Sequence, residues 1–476
     1  MNQNDFTKTL KLIGIDEIPT SKDTINNIQS FTFDANATTG SGAPLEVVTD
    51  FKTIQRLRNL PGPWALMEDN AMNHFVFGGY VAPGFEMVMS AFQRNFSVGL
   101  ELNAQLACFH EGKCVLNVFG RNDAHPQSTV NYDLDTLQVV FSSTKAVTSL
   151  AMAIAADKGF FAYDDKVSKY WPEFAQNGKG AITIADVMRH DSGLSYLDEA
   201  ITMEDIESIS NPNGTLAKKF ERSSAENDKR IYHALTRGWI CSLILQKADP
   251  KKRTLQQFID EFIAKPLEID FYCGISHELQ KKKHLATLCQ QNPKYIFANL
   301  RLPLRIKSAM NNLTETEKVM YQFLYPETGN GNDKPIMLKM TDAVEGWGST
   351  PDMPQSPRGR ALEIGSASGQ TNAYGLAKIA AVVANGGEIG GVRLLSENGV
   401  KTALDKWTTK FMHGINVNMP MCQGGWGDFG RAFKGWVSTF YRLKPDKKDT
   451  PSLTHHSFHM LRFTGRMGWF TNILLR

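Results

Sequence analysis

The sequence predicts an α+β fold: an antiparallel sheet made from both chain ends, flanked by helices, with a mostly helical region inserted between them. Three observations carry this. "ELNAQLACFHEGKCVLNVFG" holds two alternating runs around Glu111-Gly112-Lys113, which reads as a β-hairpin. A long stretch of helical periodicity follows. Strand-like segments return near the end, and this order of hairpin, helices and strands is that of an α+β domain.

Residues 1–75 read as a partly disordered N-terminal extension, because "DANATTGSGAP" is small, polar and turn-forming. "DFKTIQRLRNL" is a short helix candidate stopped by Pro61. The main domain is assigned to 76–476. It opens on a helix with apolar residues at Phe85, Val88, Met89, Phe92 and Phe96. The hairpin follows. "FSSTKAVTSLAMAIAADKG" then reads as a buried helix ended by Gly159. "AITIADVMRHDSGL" gives a short helix and a turn at Asp191-Ser192-Gly193. "YHALTRGWICSLILQKAD" reads as a helix with a strong apolar face, and "LQQFIDEFIAKPLEI" as another broken by Pro266. The stretch from about 275 to 360 reads as variable helices and loops. "TNAYGLAKIAAVVANGG" is a helix with Thr371 or Asn372 as N-cap and Gly386 as stop.

Composition narrows the function classes. Lys+Arg 52 against Asp+Glu 49 leaves a formal net charge of +3, too balanced for nucleic acid or an anionic membrane as main partner. No run of about 18 apolar residues predicts a membrane span. The N-terminus lacks the apolar core of a secretory signal, so the expected compartment is the cytoplasm. The six cysteines form no CxxC pair and read as free thiols, with no bridge between Cys108 and Cys114. His455, His456 and His459 lack Cys, Asp or Glu at ligand spacing, so no metal is expected. "NGGEIGGVRLL" lacks phosphate-cradling spacing, and no organic cofactor is expected.

The chemistry concentrates at Ser142 and Lys145. Three residues apart, they share one helical face. A serine hydroxyl needs a base to act as a nucleophile, and a lysine becomes one where apolar or positive surroundings lower its pKa. The helix N-terminus adds partial positive charge and N–H groups suited to an oxyanion. Bare, the S-x-x-K pattern is common, and its ordinary reading is a capping serine and a surface lysine. Tyr232 is a second candidate, since a phenol near a lysine can be partly ionised and relay a proton.

In order along the chain, these stretches resemble the serine β-lactamase and penicillin-binding-protein superfamily, in its branch of class C β-lactamases, D-alanyl-D-alanine peptidases and serine esterases. The resemblance runs over roughly residues 78–400. It includes the hairpin, the Ser142 helix, "ITIADVMRHDSGL", the Tyr232 segment and "SASGQTNAYGLAKIAAVVANGG". It implies a β-lactamase/transpeptidase-like fold, with Ser142 as the acylated nucleophile, Lys145 as its base and Tyr232 as proton relay. The substrate would be a small ester, amide or peptide. Ala234 stands where the family carries an asparagine that bonds the lysine, which favours esters or amides over β-lactams. His190 reads as a structural histidine. The family's third element, Lys-Thr-Gly or His-x-Gly, has a partial match in Phe463-Thr464-Gly465, which makes Thr464 and Gly465 candidate substrate-binding residues. Few residues follow Gly465, so the expectation is a chain that ends early relative to its relatives, with an uncovered sheet edge and an incomplete oxyanion hole. The alternative is a catalytically impaired scaffold or binding protein that keeps the fold.

Overall fold

The computed structural model describes residues 75–97, 101–123, 125, 128–225, 229–288, 344, 352–415, 417–428 and 458–464. The expected N-terminal extension, except Phe75, lies outside these residues, as do most of 275–360 and Gly465.

The main sheet opens with β1 (Phe75–Val81). The predicted helix follows as α1 (Glu86–Ser97), and the hairpin as β2 (Asn103–His110) and β3 (Lys113–Asn122). Glu111 and Gly112 both hold positive φ, 50° and 75°, which is the two-residue turn whose twist matches the strands. A last strand, Phe458–Thr464, pairs antiparallel with β2 and gives the order β1-β3-β2-last strand. Both chain ends therefore build one antiparallel sheet, as expected of the α+β class. The α1 face seals its outer side. Phe96 packs edge-on against Phe77 at 5.0 Å, and Gly120 makes room for it, since a Cβ there would stand 2.6 Å from the Phe96 ring.

The inserted region carries the larger core. After β4 (Gln138–Val139), helix α2 (Thr144–Asp157) is buried on almost every side. It ends as predicted: Gly159 takes φ 76°, its N–H reaches Ala156 O, and Phe160 N–H reaches Ala155 O. Helix α3 (Ile184–Met188) opens with a reciprocal Thr183–Asp186 capping box. Strand β5 (Arg230–Ile231) precedes α4 (Thr236–Ala248). Further on, β6 (Phe271–Cys273) and β7 (Gly369–Thr371) join β4 in a three-stranded sheet, and α5 (Ala373–Ala384) covers the main sheet. Asn372 is the N-cap of α5, accepting from Gly375 N–H, while Thr371 belongs to β7. Strand β8 (Thr408–His413) runs parallel to β5 and antiparallel to β9 (Val417–Met421). The strand Phe458–Thr464 is β10.

One helix is placed differently from its prediction. The Tyr232 segment becomes helical only at Thr236, because Tyr232 N–H is committed to His413 O across the β5–β8 pairing. The helix is also buried all round from Thr236 to Gln246 rather than along one face. The five described cysteines are free thiols, and the hairpin register sets Cys108 opposite Leu116 and Cys114 opposite Phe109. No described helix is long and apolar enough to cross a membrane.

Arg230 ties the small sheet to the turn after α3. Its guanidinium makes two bonds to the Asp191 carboxylate, at 2.9 and 2.7 Å, and further bonds to Thr408 and to Met419 O. Both side chains are buried. Removing one partner of a buried pair strands the other charge. Asp191→Ala is accordingly expected to lower unfolding stability by about 3–5 kcal/mol in urea titration.

Candidate active site

Ser142 lies in the 3-10 turn Phe141–Ser143 that leads directly into α2. The turn starts from a strained residue. Phe141 has φ 42°, in the left-handed region that costs a bulky L residue about 1–3 kcal/mol. The turn is fixed by Thr144, whose Oγ1 donates to Phe141 O at 2.6 Å and accepts from Gly369 N–H at 2.9 Å. Three residues per turn bring Ser142 and Lys145 onto one side.

The Lys145 amine is nearly enclosed, with the residue 7% exposed. Nζ donates to Ala234 O at 2.6 Å and Ser366 O at 3.0 Å, and stands 3.3 Å from Ser142 Oγ. Two carbonyls can take both hydrogens of a neutral amine and leave its lone pair toward the serine. Burial is the main force pushing the Lys145 pKa well below its ordinary value, and the nearby Arg237 cation adds to it.

Tyr232 completes the convergence. Its OH donates to Ser142 Oγ at 2.8 Å, and its ring lies 4.9 Å from Lys145 Nζ. Burial raises the phenol's pKa, while the bond to Ser142 and the Arg237 charge act the other way. The net shift is upward, which favours the protonated phenol. Ala234 also has a different part from the one its side chain suggested: its backbone oxygen bonds the lysine where an asparagine side chain was anticipated.

Two histidines frame the site without being placed as bases. His233 Nδ1 bonds Ile231 O at 2.6 Å, which leaves Nε2 to accept from Ser192 Oγ at 2.8 Å. His190 Nδ1 accepts the His233 backbone N–H at 2.9 Å. Burial drives His233 down to about 4 and His190 well below its ordinary value, so both rings are neutral near pH 7. His190 takes the structural part that its sequence position suggested.

Of the third element, Thr464 is the final residue of β10, opposite Ala104 of β2. Gly465 lies outside the described residues. Sequence reasoning missed Ser366 and Arg237. Ser366 gives a carbonyl to Lys145, and its Oγ accepts from Gly238 N–H at 2.7 Å. A carbonyl ligand leaves no mark in residue type. The signal that was present is Gly238: a Cβ there would stand 2.2 Å from Ser366 N. Gly238→Ala is expected to overpack this crossing and cost about 1–3 kcal/mol by chemical denaturation.

The Beta-lactamase family model matches residues 92–448. A Mycobacterium tuberculosis protein described as esterase/beta-lactamase LipL is 28% identical over 354 residues, 73% of each chain. A penicillin-binding-protein homologue from Caulobacter crescentus shares the fold with TM-score 0.56 and 24% identity, covering 81% of this chain and 90% of that one. A family VIII carboxylesterase does so with TM-score 0.58 and 22% identity, over 83% and 95%. With the match spanning most of the chain and the fold shared, this protein belongs to the Beta-lactamase family.

Proposed function

We propose that this chain is a serine hydrolase that forms an acyl-enzyme on Ser142 with a small ester, amide or peptide. One observation carries the reading: Lys145 Nζ and Tyr232 OH converge on the same Ser142 oxygen. Neutral Lys145 takes the Ser142 proton as the hydroxyl attacks the substrate carbonyl. The partial positive charge at the N-terminal end of α2 favours the developing oxyanion. Tyr232, protonated and beside the serine, gives its proton to the leaving group and recovers one from Lys145. Water then clears the acyl group by the reverse proton path. A second oxyanion donor is assigned, on the family resemblance, to Thr464, the last residue of β10.

Esters are the favoured substrates within this class. At Ala234 the lysine's partner is a backbone oxygen, so no side-chain amide is available there to hold a β-lactam's amide. The carboxylesterase neighbour's name is consistent with ester chemistry, and the mycobacterial relative's name covers both esterase and β-lactamase.

A fluorophosphonate should add once to the folded protein, on Ser142, by intact-mass and peptide analysis. Absence of the adduct would refute the acyl-enzyme. With an aryl ester, Ser142→Ala should abolish turnover and Tyr232→Phe should lower kcat by about 10²–10⁴-fold.

The pH dependence follows from the lysine. Its free base is the active form and its pKa is held down. Activity is therefore lost as pH falls through that lowered value and reaches its plateau well below pH 10.5. A kcat/KM profile still climbing at the ordinary lysine value would contradict this.

A further inference from the structure

Arg237, the second residue of α4, is 2% exposed. A guanidinium so deeply buried ordinarily meets a carboxylate. Among the described residues its hydrogen-bond partners are uncharged: Nη2 reaches Ser149 Oγ at 2.5 Å and Met188 Sδ at 4.0 Å, and Nε has no partner. Its tip lies against bare backbone, for a Cβ on Gly425, which has φ 86°, would stand 2.2 Å from Nη2.

The placement is specific. Ser149 lies one turn beyond Lys145 on α2, and Arg237 lies three residues beyond Ala234. The two segments therefore meet in two rungs, Lys145 Nζ to Ala234 O at 2.6 Å and Arg237 Nη2 to Ser149 Oγ at 2.5 Å. One rung carries the amine. The next, about one helical turn or ~5 Å further along, carries a permanent cation.

We propose that Arg237 is a positioning residue for the hydrolytic reaction: its charge, one turn behind Lys145 in a site where no carboxylate among the described residues opposes it, holds that amine in the uncharged form able to take the Ser142 proton. The inference rests on the serine hydrolase reading and adds to it the group that sets the base. The other charged or titratable groups around Lys145 do not supply a counter-charge. Tyr232 is a protonated phenol, and His190 and His233 are neutral. The Asp191 carboxylate is taken by Arg230, and Lys410 Nζ stands 3.4 Å from the same carboxylate. After burial, Arg237 is the one other contributor that lowers Lys145. The same charge also makes the amine an intrinsically weaker base. The net effect is favourable wherever the working pH lies below the ordinary lysine value.

Two substitutions separate charge from hydrogen bonding. Arg237→Met removes the charge at similar length, and Arg237→Gln removes it while keeping hydrogen-bond donors. The acid limb of kcat/KM for an aryl ester should move up by about 1–2 pH units in both. A second readout needs no turnover. In protein carrying 13C-labelled lysine on a Ser142→Ala background, the Lys145 signal, identified by its loss in Lys145→Met, should titrate at higher pH once Arg237 is Met.

A folded Arg237→Met protein whose Lys145 titrates as before overturns the proposal. So does a Lys145 midpoint at the ordinary lysine value with Arg237 intact, a result that does not depend on any Arg237 variant folding. If Lys145 titrates low and responds to Arg237 but fluorophosphonate fails to label Ser142, the hydrolase reading falls while the electrostatic coupling stands.

Discussion

A lysine amine enclosed by two backbone carbonyls, with a second cation nearby and no carboxylate among its partners, is the constraint around which this molecule is arranged. In water an amine would be charged at neutral pH. Here the charged form would have to give up its hydration for two carbonyl dipoles and one hydroxyl, which compensates a buried ammonium poorly. The neutral form fits the same three partners. The electrostatic imbalance that would count against a structural lysine is what gives this one a lone pair to offer.

Meeting that constraint requires parts of the chain that are far apart in sequence. Lys145 comes from α2, its carbonyl partners from Ala234 and Ser366, and Tyr232 from the end of β5. Each is anchored separately. Thr144 bonds the serine turn to β7, the close crossing at Gly238 holds the Ser366 loop, and Arg230 binds the tyrosine strand to the turn after α3. The anchoring groups are mostly backbone atoms or buried side chains, whose freedom is already lost on folding. The geometry around the serine is thus set before any substrate arrives.

Much of this was legible in the sequence where short-range patterns decide structure. The hairpin announced itself through alternation around Glu111-Gly112, and α2 through its small apolar residues and the glycine stop at Gly159. Helical spacing put Ser142 and Lys145 on one face, and the resemblance of the surrounding stretches gave that pairing its chemical reading. The Tyr232 segment was misread as helix because its composition suits one. The parallel pairing with His413 that claims its backbone involves residues nearly two hundred positions away. The ligands of the lysine were illegible for a related reason: they are main-chain oxygens, which every residue type carries. Arg237 looked like an ordinary helix residue, since nothing in a single sequence tells what lies opposite it. Local rules read local structure, and the surroundings of the Lys145 amine are a property of long-range packing.

The backbone at Phe141 bears on how such a site can change over time. A glycine there would relax the left-handed conformation and stabilise the folded chain, yet it would also widen the range of angles open to the adjoining serine turn. Stability and the aim of the hydroxyl are opposed at this one position. Selection for a hardier protein and selection for a well-aimed serine would favour different residues at 141, so an improvement in robustness found there is the kind that arrives with a looser site.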